Sequence, residues 1–308
     1  MRQFEVMNDK GIIGNRWPKS ELSSADGTGW FYKRIYDLFK LKAFNNKQLK
    51  TIYDALKKTI SSTRENLLYK GLIRNGPLET WMDTTPKNKP EISDDRRGYR
   101  VEIQALHTRM YKLAGKIGKF IGETDYVKYL KYEVELYGEV RKHMLKNKIL
   151  HDGLNEDFSI DKTVRPNVFL AYYIYPKMIK SDEWEKTFDN VLYHCWFDWG
   201  GLSSISKKNN LFCKEHTGIN NDSYHRGDSW FFLNNIAAIS MHKLNSEKYI
   251  NEIEQIEKAS VNEMLFRGFS GQCAEISDAT KLNSKGCFAQ GWSAATLIEL
   301  TQTTGFKK

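Results

Sequence analysis

Apolar and polar positions alternate along most of this chain with the 3.6-residue period of an α-helix. Leu49, Ile52, Leu56 and Ile60 recur on one face, as do Ile103, Leu106, Met110, Leu113 and Ile117. That spacing predicts amphipathic helices packed on one side. Val127, Leu130, Val134 and Tyr137 form a third stripe, on a helix expected to begin near Glu123. Further helices are predicted at about 29–42, 167–178, 183–195, 228–244, 247–267 and 287–303. They differ in character. The run Trp230-Phe231-Phe232-Leu233-Asn234-Asn235-Ile236-Ala237-Ala238 is apolar nearly all round, which suits an inner helix, whereas 247–267 carries Glu and Lys on an outer face. A buried helix followed by an amphipathic one is the order expected of two concentric helical layers.

The connections fall into two kinds. Helix pairs are joined tightly around Asn45 and around Gly122, while long loops rich in Gly, Asn, Asp and Ser span 69–97, 148–166, 198–227 and 268–286. Long ordered loops in a packed domain usually carry function, so the candidate chemistry is sought there. Only six prolines occur and no Pro- or Ser-rich linker divides the chain. It reads as one all-α domain over residues 1–308.

Composition narrows the class. Hydrophobic residues at 40%, with 13% aromatics, suffice for a sizeable core, which excludes disorder for the bulk of the chain. The net charge of +9 comes from 47 basic and 38 acidic residues, but the two signs are interleaved, as in Lys128-Tyr129-Leu130-Lys131-Tyr132-Glu133. This reads as solvated helix faces rather than the basic stripe of a nucleic-acid binder. Cys195, Cys213, Cys273 and Cys287 form no C-x-x-C pair and no zinc-like spacing with the histidines, as expected of reduced thiols. No apolar signal core opens the chain and no run approaches membrane-span length. The expectation is a soluble, cytoplasmic protein.

Two loop carboxylates stand out. In Gly71-Leu72-Ile73-Arg74-Asn75-Gly76-Pro77-Leu78-Glu79-Thr80-Trp81-Met82-Asp83, the carboxylate of Asp83 directly follows Trp-Met. Apolar neighbours there would resist its ionisation and suit a general acid. In Gly271-Gln272-Cys273-Ala274-Glu275-Ile276-Ser277-Asp278-Ala279, Glu275 sits among small residues. Glycoside hydrolysis needs such a pair, one carboxyl to protonate the leaving oxygen and another for water or the anomeric carbon. Taken alone, each reads more readily as a loop-satisfying acid.

The ordered motifs favour the chemical reading. They are Asn15-Arg16, Ser24-Ala25-Asp26-Gly27-Thr28-Gly29-Trp30-Phe31, Trp81-Met82-Asp83, and Arg97-Gly98-Tyr99-Arg100-Val101-Glu102-Ile103-Gln104-Ala105-Leu106. They continue with Arg165-Pro166-Asn167, Gly201-Leu202-Ser203-Ser204-Ile205-Ser206, Tyr224-His225-Arg226-Gly227-Asp228-Ser229-Trp230 and Gln290-Gly291-Trp292-Ser293. In this order, over nearly the whole chain, they resemble the C-terminal amylo-α-1,6-glucosidase domain of glycogen debranching enzymes. The resemblance implies an (α/α)6 barrel, a six-hairpin toroid with its pocket in the loops at one end. It implies hydrolysis of single α-1,6-linked glucose stubs on glycogen-like or starch-like glucans, with inversion and without metal or organic cofactor. It gives Asp83 the role of general acid and Glu275 that of general base. Asp26, Trp30, Glu102, Asn167 and His225 fall on positions that would line the glucose pocket, with Trp81 and Trp292 as walls or stacking platforms.

Structural roles stay open beside these. Glu102 and Gln104 are also readable as polar groups satisfied inside the barrel, Tyr224-His225 as a loop-to-helix cap, and Asn167 as a helix cap. The chain also departs from the family. Arg226 and Asp228 stand where neutral residues are expected, to alter the pocket's charge or to form an ion pair. The usual first helix pair with its Trp…Gly-Arg-Asp motif is not found before Asn15, and about nine helices are legible where a complete ring has twelve. A ring lacking that pair would expose apolar flanks beside the Trp30-Phe31 helix and the 287–303 helix. The expectation is a partner polypeptide supplying the absent helices, or a homo-oligomer, unless residues 1–25 fold back to plug the gap. The competing functions are another α/α-barrel glycosidase, glucoamylase- or trehalase-like, and a non-catalytic glycan-binding subunit.

Overall fold

A computed structural model describes residue 4 and residues 7–14, 24–88 and 94–305. The Asn15-Arg16 motif lies outside the described residues. Helices dominate: α1 (Gly27–Lys40), α2 (Asn46–Asn66), α3 (Val101–Ile121), α4 (Tyr126–Met144), α5 (Asn167–Ile174), α6 (Ser181–Cys195), α7 (Phe231–Asn245), α8 (Ile250–Phe266) and α9 (Gly291–Thr304). Each periodic stretch of sequence becomes a helix, and the ends follow local chemistry. At the start of α2 the Asn45 side chain accepts from the Gln48 amide while the Gln48 side chain accepts from the Asn45 amide, which satisfies two otherwise orphan donors. Gly122 ends α3 with φ of 79°, a left-handed stop that glycine adopts without strain. The predicted helix 167–178 divides instead at Tyr175 into α5 and a single 3-10 turn, Pro176–Met178.

The helices form two layers. α1 packs on α3, α3 on α5, α5 on α7 and α7 on α9, while α2 and α4 back α3, and α8 backs α7 and α9. Within the inner row, α3 and α5 are buried almost all round, and α7 is buried from Phe231 to Met241. Close approach is written into the sequence at Gly29, where a β-carbon would stand 2.7 Å from Leu106 Cβ. One extended hydrophobic cluster runs through all these helices.

The alternation of inner and outer helices sorts the connections by length. The short ones, 41–45, 122–125, 175–180 and 246–249, join the C-terminal end of an inner helix to the next outer helix. The long ones all lead into the N-terminal end of an inner helix, so they gather at one end of the layers. Two-residue strands tie them to one another: Tyr99–Arg100 pairs with Gly153–Leu154, and Ser229–Trp230 pairs with Ile276–Ser277. The described part of the N-terminal segment lies along α1 and α2. Gly11 carbonyl accepts from the Thr59 hydroxyl at 2.7 Å, and the Ile13 amide donates to the Thr28 hydroxyl at 2.9 Å.

One expected face is wrong. Val127 and Val134 are exposed, while Tyr129, Glu133, Leu136, Val140 and Met144 form the buried stripe of α4. The helix was legible, but its orientation depends on Glu133, whose carboxylate is held inside by Lys112 and the Tyr175 hydroxyl. Counting apolar residues alone misses a buried carboxylate that has partners.

Candidate active site

A cavity of about 400 Å³ opens at the long-loop end of the inner helices. Its wall includes Asp26 just before α1, Trp30 and Arg34 within α1, Trp81 and Asp83 from the loop before α3, Leu170 of α5, Phe232 of α7, and Trp292 and Thr296 of α9. Residues distant in sequence meet here because every contributing loop enters an inner helix at the same end. Gly14 joins this wall as well.

The Trp81-Met82-Asp83 segment divides between core and cavity. Trp81 and Met82 turn inward, at 8% and 1% exposure, and Asp83 turns outward with half of its side chain accessible. The desolvated Asp83 expected from its apolar neighbours is therefore not what the free protein holds, because those neighbours pack the core rather than the carboxylate. Trp81 is fixed on several sides. Its Nε1 donates to Asn167 Oδ1 at 2.9 Å, and its ring meets Trp230, Phe232 and His225 edge-on. Such aromatic pairs add about 0.5–1.5 kcal/mol each beyond the area they bury. Trp292 stacks on Phe232 with centroids 4.3 Å apart, leaving its other face at the cavity rim.

Behind Trp81 lies a buried ionic network. Arg96, almost inaccessible, donates from Nη1 and Nη2 to the two carboxylate oxygens of Glu102, and from Nη2 to Asp152 at 2.9 Å. Asp152 in turn accepts from Asn167 Nδ2 at 2.8 Å. Glu102 and Asn167, expected to line the pocket, are wholly buried and act one layer back, holding Trp81 rather than standing among the wall residues. Gln104 follows the structural reading, clamping both backbone groups of Ile73.

His225 is also buried, its ring stacked on Trp230 at 5.1 Å, with Nε2 lying 3.5 Å from Asp83 Oδ1. Burial pushes its imidazole down to about 4, so it stays neutral near pH 7 with a single N–H to offer the carboxylate. The two charged departures behave as clamps. Arg226 donates to the carbonyl of Thr84, the residue after Asp83, at 3.0 and 2.9 Å, and lies 3.5 Å from Asp94. Asp228 accepts from His216 and Ser223, both at 2.8 Å. They neither pair with each other nor line the cavity.

Glu275 is carried in by the strand that begins at Ile276, next to Ser229–Trp230. Three donors hold its carboxylate: the Tyr224 hydroxyl at 2.7 Å, Gln290 Nε2 at 3.1 Å and the Cys287 amide at 3.0 Å. Glu275 is nearly buried and is not a wall of the cavity. Tyr224 connects it to Asp83. The Tyr224 ring packs on His225 and Trp230, and burial and the bond to Glu275 push its phenol upward, with the charge of Asp83 adding to the effect. In the sequence Tyr224 is equally consistent with a loop-to-helix cap. Only its position between two loops, each contributing one carboxylate, reveals the link.

Asp26 shares the cavity with Asp83. Burial raises its carboxyl to about 6, and the charges of Glu102 and Asp83 add to that, while the Ser24 hydroxyl opposes it. A folded-state value above the unfolded one contributes stability that is present below about pH 4 and is lost as pH rises through about 6. Asp26→Asn, which keeps an acceptor for Ser24, should therefore flatten that decline. The variant is expected to gain on the order of 1–3 kcal/mol relative to the parent between pH 4 and pH 8, read by urea unfolding at both pH values. Equal slopes for the two proteins would contradict it.

The family model for amylo-α-1,6-glucosidase matches residues 1–299. The chain belongs to that family. Membership places it among the glycosidases. A search of curated proteins gives no match. Among solved structures, an uncharacterized conserved protein from Thermus thermophilus superposes with a TM-score of 0.70 at 11% identity, over 98% of this chain and 86% of the other. The GH63 mannosylglycerate hydrolase of the same organism, in complex with glucose, gives 0.69 at 12% identity with the same coverage. A sialidase gives 0.64 at 12% identity, over 84% of this chain and 24% of its own. At these identities the likeness establishes the fold they share. Among the described residues, no helix is long and apolar enough to cross a membrane.

Proposed function

We propose that the chain is an inverting α-1,6-glucosidase that removes single glucose stubs from glycogen-like or starch-like glucans. The observation that carries this reading is one cavity walled by Asp26, Trp30, Trp81, Asp83 and Trp292, with Tyr224 bonded to Glu275 and packed on the His225 ring that faces Asp83. Asp83 is the general acid. A sugar seated against Trp81 excludes water from its half-exposed carboxyl, which favours the neutral, proton-donating form. Asp83 gives its proton to the glycosidic oxygen as the bond to the anomeric carbon breaks, and His225 holds it at the correct edge. Glu275 takes a proton from a water that attacks the anomeric carbon from the opposite face. Asp26 and the Trp30 and Trp292 rings grip the glucose. The two-layered helices are read as an (α/α)6-type ring.

Linkage and stereochemistry test the reading together. An α-1,6-glucosyl stub, isomaltose-, maltose- and trehalose-type substrates and mannosylglycerate are compared, and the first-formed anomer is followed by proton NMR. Fastest turnover on the stub with β-glucose appearing first is expected. α-Glucose first would overturn inversion, and glucan binding without turnover would favour a non-catalytic subunit. A second reading, a glycosidase for a small acidic glycoside, rests on Arg34 in the cavity wall and on the fold shared with a mannosylglycerate hydrolase.

The partner expectation also stands as a proposal. On α9, an inner helix, Trp292, Ala295 and Ile298 are exposed on one side, and Leu38 and Leu41 are exposed at the end of α1. Phe31, by contrast, is covered by Phe4 and Tyr32. Exposed apolar surface on an inner element supports a covering polypeptide or a second copy. Sedimentation of the purified chain should reveal self-association, or association with a polypeptide carrying further helices. A stable monomer with full activity would sink the idea.

A further inference from the structure

The short-connection end of the inner helices holds a second cavity, of about 570 Å³, whose character is opposite to the first. Seven cationic side chains line it: Lys33, Lys40, Arg109, Lys112, Lys116, Lys177 and Lys243. Only Asp37 and Glu299 among its lining residues are acidic, and Glu133 stands behind Lys112. The tyrosines Tyr36, Tyr172, Tyr173 and Tyr175 supply the rest of the wall.

Part of this charge has a structural use. Helix C-termini carry partial negative charge, and cations in last turns offset it. Arg109 does this directly, donating Nε and Nη2 to the Ile174 carbonyl at the end of α5. Lys33 pairs with Asp37 at 2.8 Å and Lys112 with Glu133 at 3.1 Å. These contacts do not neutralise the site. Arg109 is 9% exposed, and among the described residues it forms no ion pair with a carboxylate. Its guanidinium lies 4.1 Å from the Tyr36 ring centroid and 5.3 Å from that of Tyr175, a sandwich that lessens the cost of burying the charge without cancelling it. Lys33 lies 3.9 Å from the Tyr173 centroid, and burial lowers its ammonium to about 8. Lys40, Lys116 and Lys177 at the mouth have no ion-pair partner among the described residues. A mostly buried guanidinium with no carboxylate in ion-pair contact among the described residues, in a cavity it shares with three unpaired exposed lysines, is an arrangement that an anion completes.

We infer that this cavity binds a small phosphate-bearing metabolite carrying at least two negative charges, at a site separate from the glycosidase cavity. Mouth lysines meet the phosphate as point charges, Arg109 and Lys33 set the positive floor, and tyrosine rings cover the organic part. The proposal is independent of the glucan assignment, since no wall residue is shared between the two cavities.

Calorimetric titration of the full chain with inorganic pyrophosphate tests it. Binding in the micromolar to low millimolar range is expected, weakening as salt rises and raising Tm. The exposed pair Lys40→Glu with Lys116→Glu should weaken it about tenfold or more while the circular dichroism spectrum and basal glycosidase turnover stay unchanged. Arg109→Gln tests the floor, and the exposed pair keeps the test sound should that variant fail to fold. Pyrophosphate binding that is undetectable at millimolar concentration, or unchanged in the double variant, overturns the proposal and leaves the cations as partners of helix ends.

Discussion

Asp83→Asn is expected to lower kcat on an α-1,6-glucosyl stub by about 10²–10⁴-fold, the usual contribution of a positioned proton donor. KM should change little, because the amide keeps the shape and the hydrogen-bonding edge presented to His225. Glu275→Gln should cost a comparable factor, since the amide still reaches Tyr224 and Gln290 but cannot take a proton from water. Tyr224→Phe gives the graded control. It preserves the ring packed on His225 and Trp230 and removes one of three donors to Glu275. A hydrogen bond to a charged group contributes about 1.5–3 kcal/mol, so its kcat loss should be about ten- to a hundredfold, below that of either carboxylate. Steady-state kinetics of the three variants, with circular dichroism to verify folding, decides it. If Asp83→Asn hydrolyses the stub at a near-normal rate, the acid lies elsewhere.

Arg96→Met should have the largest effect on stability. Glu102 and Asp152 each have side chains about 1% exposed, and both depend on this guanidinium. Methionine fills much of the volume but leaves two buried carboxylates without their cation. Breaking a buried pair from one side typically costs about 3–5 kcal/mol, because the remaining charge is uncompensated. Arg100 offers limited rescue, standing 4.0 Å from Asp152 and already engaged with Asp161. Urea unfolding should report the loss, and adding Glu102→Gln should restore part of it by removing one stranded charge. The folded fraction should also turn over more slowly, since Asp152 orients Asn167 and Asn167 orients Trp81. A loss below about 1 kcal/mol would show that the network tolerates its own disruption.

How much of this was legible in the chain differs by level. Helix positions follow from local periodicity, and the ends of α2 and α3 from Asn45, Gln48 and Gly122, because capping depends on residues within one turn. The four long loops were legible for the same reason. They lack an apolar period and are rich in residues that compete with helix. The order of short motifs identified the family without any contact being known. Asp83 and Glu275 were therefore nameable, but their connection through His225 and Tyr224 was not, since it needs three loops to meet at one end of the inner helices.

The sequence by itself determined which segments are helical and which of them are inner, because those properties depend on neighbours three or four positions away. Tertiary structure decided what each polar group faces. Glu102 and Asn167, which the motifs place at a ligand and which are also readable as structural groups, hold Arg96 and Trp81. Arg226, readable as a pocket charge or as half of an ion pair, clamps Thr84 and pairs with Asp94. Glu133 carries the α4 face inward while Val127 and Val134 remain outside. A carboxylate or guanidinium is stable in the interior only beside its partner, and that partner lies on another element, at a distance in sequence that no local pattern records.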